Sequence, residues 1–335
     1  MAALVKPCRP DRPSLEVVIP LCNEENVLNE LLACLARVFA HDNLARSGVR
    51  SVHYVFVDDG SADRSAEILS EAISTGLPAT LYRLSRNFGH QSAVSAGLDF
   101  ARADIVAVID ADLQDPPELI LDMIAHWRDG YDVVFARRRR RKEHPLRNAG
   151  AWLFYRLVAF LADIRIPLDS GDFCLMDRRI VELLSRLPER LRFPRGLRAW
   201  AGFRQTGIEY DRPARRAGRS KYSVAKLYRL ATDGVVSSSI RPLQLAQLAS
   251  VSFLCLSLLV AGLLLLRPRS LGIPPVILAG YLLIILGNLV QVFCIYLLGA
   301  YVGRTYLEVK GRPPYVVMEV IGNTGHESER ERNSD

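Results

Sequence analysis

The sequence predicts an α/β protein, a doubly wound and mostly parallel sheet, followed by a two-helix transmembrane hairpin. Three observations carry this. Short apolar runs alternate with helical patterns through the first 140 residues. Four of those runs end in polar clusters. Two long stretches near the C-terminus contain no charged residue at all.

The apolar runs are LEVVIP (15–20), SVHYVFV (51–57), ATLYRLS (79–85), DIVAVI (104–109) and YDVVFA (131–136). Near-continuous apolar runs are the pattern of strands covered on both faces. Helical spacing fills Glu24–Ala40, Ser65–Ser74, Gln91–Ala101 and Pro117–Arg128 between them. Strand–helix alternation implies a mostly parallel sheet, whose ligands sit beyond the carboxyl ends of its strands. PLCNEE, DDGSAD, RNFGHQ and DADLQDPP follow the first four runs in turn, and they read as one active-site rim.

Beyond residue 142 the pattern changes. NAGAWLFYRLVAFLAD (148–163) is a strongly apolar helix, and SVAKLYRLATDGVVSSSI (223–240) is either a domain helix or an in-plane interfacial one. No charge occurs in Pro242–Leu266 or in Ser270–Gly303. Each run exceeds the roughly 20 residues that cross a bilayer, which a buried core pair seldom needs. Arg229 and Arg241 before the hairpin, and Arg304, Lys310 and Arg312 after it, put both flanks on the cytoplasmic side, against only Arg267 and Arg269 in the turn. The expected plan is an N-terminal extension (1–14), a catalytic domain (15–222) and a juxtamembrane helix (223–241). Two spans follow within 242–303, at about 243–266 and 274–302, and then a cytoplasmic segment (304–335) whose charged tail is expected to be disordered. The N-terminus lacks the apolar block of a secretory signal, so the expected location is the inner, cytoplasmic membrane with both termini cytoplasmic.

The six cysteines form no CxxC pair and read as residues of a reducing compartment. The net charge of +7 is concentrated in ARRRRRK (136–142) and RPARRAGRSK (212–221). Beside a membrane anchor, lipid headgroups or a phosphorylated lipid fit it better than nucleic acid does.

The chemistry centres on Asp110 and Asp112. Residues i and i+2 of an extended segment point the same way, so the two carboxylates converge while Ala111 faces away. Close carboxylates repel unless a cation lies between them or one takes a proton. With no His or Cys adjacent in sequence, Mg²⁺ or Mn²⁺ with a substrate diphosphate suits the pair. The plainer alternative, an aspartate capping the helix that begins near PPELI, falls to Asp115. Asp58 and Asp59 can bond a ribose hydroxyl or base, or can simply build a turn with Gly60. His90 reads as a helix-start residue or as a base. Asn288 and Gln291 share a face of the second span, where helix–helix contact or lipid-phosphate contact would use them.

VVIPLCNEE, VFVDDGS, RNFGHQSAVSAGLDFA, IDADLQDPPELI, SGDFCLMDRR and RRAGRSKYS occur in that order, and LGAYVGRTYLEVKGRPPY follows the hairpin. Over residues 15–322 the chain resembles glycosyltransferase family 2 enzymes of GT-A fold, and within them the polyprenyl-phosphate sugar transferases. The resemblance implies that Pro20, Cys22, Glu24, Asp58 and Asp59 line the donor nucleotide pocket, with Cys22 standing where an aromatic residue is usual. It implies that Asp110, Asp112 and Gln114 hold the metal and the donor diphosphate. Arg137, Arg147 and Lys221 would meet the acceptor phosphate, and Asp112, Arg215 and Asp172 would carry the catalytic roles. The implied reaction is inverting transfer from a UDP-sugar, with glucose as the leading donor, to a polyprenyl phosphate such as undecaprenyl phosphate. Aminoarabinose, mannose or GlcNAc-like donors, a processive synthase and a non-catalytic nucleotide-sugar-binding protein are the alternatives. A lipid monophosphate is already anionic, with a second pKa near 6, so Asp172 is expected to orient groups rather than abstract a proton. A homo-oligomer, such as a tetramer joined through the spans and the C-terminal strand, is compatible with the sequence.

Overall fold

A computed structural model describes residues 9–138, 170–190, 192–211, 240–265 and 274–322. The helices predicted at 148–163 and 223–240 lie, but for Ile240, outside the described residues.

One unit is an eight-stranded sheet flanked by helices. Its strands are β1 (Ser14–Leu21), β2 (Ser51–Asp58), β3 (Ala79–Leu84), β4 (Ile105–Val108), β5 (Val133–Arg138), β6 (Ser170–Asp177), β7 (Gln205–Tyr210) and β8 (Val317–Gly322), in the order β7-β5-β6-β4-β1-β2-β3-β8. Its helices are α1 (Glu25–Val38), α2 (His41–Ser47), α3 (Ser65–Ser74), α4 (His90–Phe100), α5 (Leu119–Arg128), α6 (Arg178–Arg186) and α7 (Pro194–Trp200). The five predicted runs and the four predicted helices form where expected.

Alternation along each central strand feeds two cores. Val17 and Ile19 of β1 pack with Leu28, Leu31 and Leu35 of α1 and with Ile120, Ile124 and Trp127 of α5. Val18 faces the other side, with Val57, and with Ala93, Val94 and Leu98 of α4 and Ile180 and Leu184 of α6. A Cβ on Gly97 would fall 2.2 Å from Val18 Cγ1, so this glycine lets α4 lie close against β1.

Parallel pairing holds β4-β1-β2-β3 together. β6 and β7 lie outside the predicted runs, and β7 pairs parallel with β5. β6 inserts antiparallel between β4 and β5, and β8 pairs antiparallel with β3 of the same chain. The C-terminal segment therefore completes this chain's own sheet, where the sequence suggested pairing with a neighbour.

The second unit contains α8 (Arg241–Leu265) and α9 (Pro274–Val309). Both are long and apolar enough to cross a membrane. They pack on each other: Ser250 Oγ lies 3.3 Å from Cys294 Sγ, and Phe253 closes over Gly287. α9 runs seven residues past the predicted end of the second span. Asn288 and Gln291 are exposed.

Candidate active site

β1 is the switch point of the sheet, because the chain leaves it toward β2 and β3 on one side and toward β4 and β6 on the other. Such points open a crevice at the carboxyl ends of the strands, and the predicted rim residues gather there. Asn23, in a left-handed conformation (φ 58°), joins the β1 end to the β2 end. Its backbone N–H donates to Ser61 Oγ (2.9 Å), and its side-chain oxygen accepts from Ala62 N (2.8 Å). Glu24 N donates to Ser65 Oγ at 3.0 Å. Pro20 is buried in β1, paired in register with Val57. Cys22 Sγ accepts from Asn87 Nδ2 at 3.3 Å, and burial pushes the thiol pKa up.

The two aspartates of DDGS are engaged within the chain. Asp58 Oδ1 accepts the Ser61 N–H at 2.9 Å, and its Oδ2 lies 3.6 Å from Arg83 Nε. Asp59 takes the backbone N–H groups of Phe88 (2.7 Å) and Gly89 (2.9 Å), latching the β3–α4 loop to the end of β2. Burial lifts the Asp59 carboxyl pKa even so, partly offset by those two bonds.

The β4–β6 ladder brings the other half together. Val108 pairs with Cys174, and continuing this register by two residues sets Asp110 opposite Asp172. Asp172 is the most heavily bonded acid of the site. Arg195 of α7 donates to it side-on, Nε at 2.7 Å to Oδ1 and Nη2 at 2.9 Å to Oδ2. His90 Nε2 and Gln91 Nε2, both from the start of α4, each stand 3.1 Å from Oδ2. Burial opposes ionisation, but the bonds from His90 and Arg195 outweigh it and hold this carboxyl well below the usual range.

Asp110 has the opposite character. Its Oδ1 is buried without a hydrogen-bond partner among the described residues. His90 Nε2 faces it at 3.6 Å. Burial, together with the negative charges of Asp115, Asp172 and Asp112, pushes its pKa up to about 6 against the pull of His90. For His90, burial favours the neutral ring. The Asp172 bond and the two carboxylate charges overcome that and raise the imidazole. Asp112 Oδ1 accepts the Gln114 N–H (3.1 Å) around Leu113, itself left-handed (φ 56°), and Gln114 is buried.

Among the described residues, no group of three or more His, Cys, Asp or Glu forms a cation cage. An ion that keeps water and substrate oxygens needs only one or two protein carboxylates. The orphaned Asp110 oxygen, beside Asp112, fits that chemistry.

Other predicted residues sit elsewhere or differently. Asp115 does not cap α5, whose N-cap is Glu118; it is buried and accepts the Tyr210 hydroxyl. Arg137, at the carboxyl end of β5, pairs with Glu209. Arg147, Arg215 and Lys221 lie outside the described residues. Sequence reading missed Arg195 and Gln91 and undervalued His90. Only the β4–β6 register and the placing of α4 and α7 join them to Asp172, and no spacing signal encodes these.

Comparison with known proteins identifies the family. Glycosyl transferase family 2 matches residues 16–184. The uncharacterized glycosyltransferase YkcC of Bacillus subtilis is 41% identical over 317 residues, covering 91% of this chain and 94% of its own. The prophage-derived bactoprenol glucosyl transferase of Shigella flexneri is 36% identical, covering 90% and 97%. A prophage bactoprenol glucosyl transferase homolog of Escherichia coli is 34% identical, covering 91% and 99%. Among solved structures, the mannosyltransferase PcManGT of Pyrobaculum calidifontis aligns over 93% of this chain with TM-score 0.46 and 17% identity. Matched by the family model over residues 16–184 and by relatives along nearly their whole length, the chain belongs to glycosyltransferase family 2 and is a glycosyltransferase.

Proposed function

We propose that the enzyme transfers a hexose, glucose from UDP-glucose as the leading donor, to a polyprenyl phosphate such as undecaprenyl phosphate at the cytoplasmic membrane face. The observation that carries this reading is the meeting of opposites at the ends of β4 and β6. Asp110 has a buried carboxylate oxygen with no hydrogen-bond partner among the described residues, and the facing Asp172 holds the Arg195 guanidinium in place. The first suits a cation and the second suits a phosphate. The names of the bactoprenol glucosyl transferase relatives and the two apolar helices support a lipid acceptor.

Asp110 and Asp112, with Gln114, would hold Mg²⁺ or Mn²⁺, which when bound supplies positive charge for the donor diphosphate. The acceptor phosphate oxygen attacks the anomeric carbon. The bond to the diphosphate oxygen breaks, and the nucleoside diphosphate leaves with the electron pair, giving inversion. The acceptor is already anionic, so no base is needed. Asp172 then acts by orienting Arg195 and His90, and the rate arises from positioning and charge stabilisation. A catalytic surface at the membrane meets a lipid that cannot leave it.

Labelled UDP-glucose incubated with undecaprenyl phosphate, with and without EDTA, tests the reading. Cation-dependent transfer of label to lipid is expected. Transfer from a different nucleotide sugar alone would move the donor assignment. Nucleotide-sugar binding without any transfer would leave a binding protein in place of an enzyme of this reaction.

A further inference from the structure

The strand that follows the second membrane helix returns to the donor side of the sheet. Three contacts seat it. Tyr315 OH donates to Asp99 (2.9 Å), Ser85 N donates to Val316 O (2.9 Å), and Glu319 Oε2 lies 2.6 Å from Arg83 Nη1. Arg83 spans two acids: its Nη1 meets Glu319, while its Nε is 3.6 Å from Asp58, which is 1% exposed at its side chain. That Nε is buried with no hydrogen-bond partner among the described residues. A guanidinium so placed is held by charge on both sides, and a buried carboxylate depends on such a partner. Asp58 in turn holds the Ser61 amide and so shapes the turn 58–61.

That turn touches the next loop with no slack. Gly60 is left-handed (φ 69°), and a Cβ there would fall 2.6 Å from Arg86 C and 2.7 Å from Asn87 N. Displacing the turn therefore displaces the loop that carries Asn87 and the Asp59 latch.

We infer that Glu319, acting through Arg83, is a positioning residue for the donor nucleotide: the strand after the membrane helices sets the Asp58–Ser61 turn at the donor rim. This rests on the donor assignment proposed above. Glu319 reaches no donor itself. Its carboxylate orients the guanidinium, the guanidinium fixes Asp58, and Asp58 fixes the turn.

Glu319→Gln keeps the shape and removes the charge. Two readouts in the full-length enzyme test the relay: amide exchange without any donor, and transfer kinetics. Ser61 exchange rises about fivefold while Ser85, bonded to Val316, stays protected. Donor KM rises about fivefold with kcat within about twofold. In an Arg83→Met background, Glu319→Gln adds nothing further. Unchanged Ser61 exchange overturns the relay whatever the donor. Faster exchange with unchanged donor KM removes the turn from the donor site and overturns both readings. Faster exchange at Ser61 and Ser85 together makes the effect one of strand docking and overturns the relay.

Discussion

Arg195 binds Asp172 side-on, Nε to one carboxylate oxygen and Nη2 to the other, at 2.7 and 2.9 Å. A two-point pair fixes the plane of the guanidinium as well as its position. If Asp172 works through Arg195, removing either residue removes one function. Asp172→Asn and Arg195→Met are each expected to lower kcat by about 100-fold, and the double variant to be no worse than either, as for groups that act as a unit. Steady-state transfer assays on the three variants check this. Full turnover in Asp172→Asn, or losses that multiply, would contradict it.

The same pair links stability to pH. The folded-state pKa of Asp172 is held below its ordinary value, so its contribution is present above an unfolded pKa of about 3.9 and is lost as pH falls below it. At neutral pH, Asp172→Asn should cost about 2 kcal/mol, the scale of a hydrogen bond to a charged group. That deficit should hold from pH 7 to about pH 5 and shrink below about pH 4. Denaturant titrations of the detergent-solubilised protein at several pH values would reveal a gap that closes on acidification. A gap that widens would reverse the sign.

Gly60 gives a purely steric prediction. Its left-handed backbone costs any other residue about 1–2 kcal/mol, and the Arg86 and Asn87 backbone leaves no room for a Cβ. Gly60→Ala should lower stability by about 2 kcal/mol or more and raise donor KM. Gly76→Ala serves as the control: it shares a positive φ (104°) but has open space around it, so it should carry only the conformational cost. Thermal melts of the two variants separate strain from collision.

Much of this was legible in the sequence because the central strands are covered on both faces and end in polar clusters. The runs at 15–20, 51–57, 79–85 and 104–109 needed nothing beyond hydrophobicity and turn residues. β6 was different. Its SGDFCLMD reads as a motif with buried residues, and nothing local says that it runs antiparallel beside β4. That one register sets Asp172 opposite Asp110, and the chain then returns through α7 to add Arg195. β8 was legible as a strand but its partner was not, because a short edge strand is defined by what it pairs with, and β3 is more than 230 residues away. Asp115 was misread because a buried acceptor for Tyr210 and a helix cap look alike before a Pro-Pro step.

The orphaned oxygen of Asp110 supplies the last prediction. Its burial with no hydrogen-bond partner among the described residues is costly, and burial has already raised the carboxyl pKa to about 6. A divalent cation would replace the proton and relieve that cost, whereas His90 at 3.6 Å gives charge without a hydrogen bond. Chelation with EDTA should therefore abolish transfer, and added Mg²⁺ or Mn²⁺ should restore it. Asp110→Asn should raise the cation concentration giving half-maximal activity by about 10–100-fold, the scale seen when support of a metal site is lost. Mn²⁺ binding followed by electron paramagnetic resonance gives a readout independent of turnover, and it should weaken in step. Transfer that survives chelation, or Mn²⁺ binding indifferent to Asp110→Asn, would leave the raised carboxyl as a proton-holding group facing His90 and remove the cation from this site.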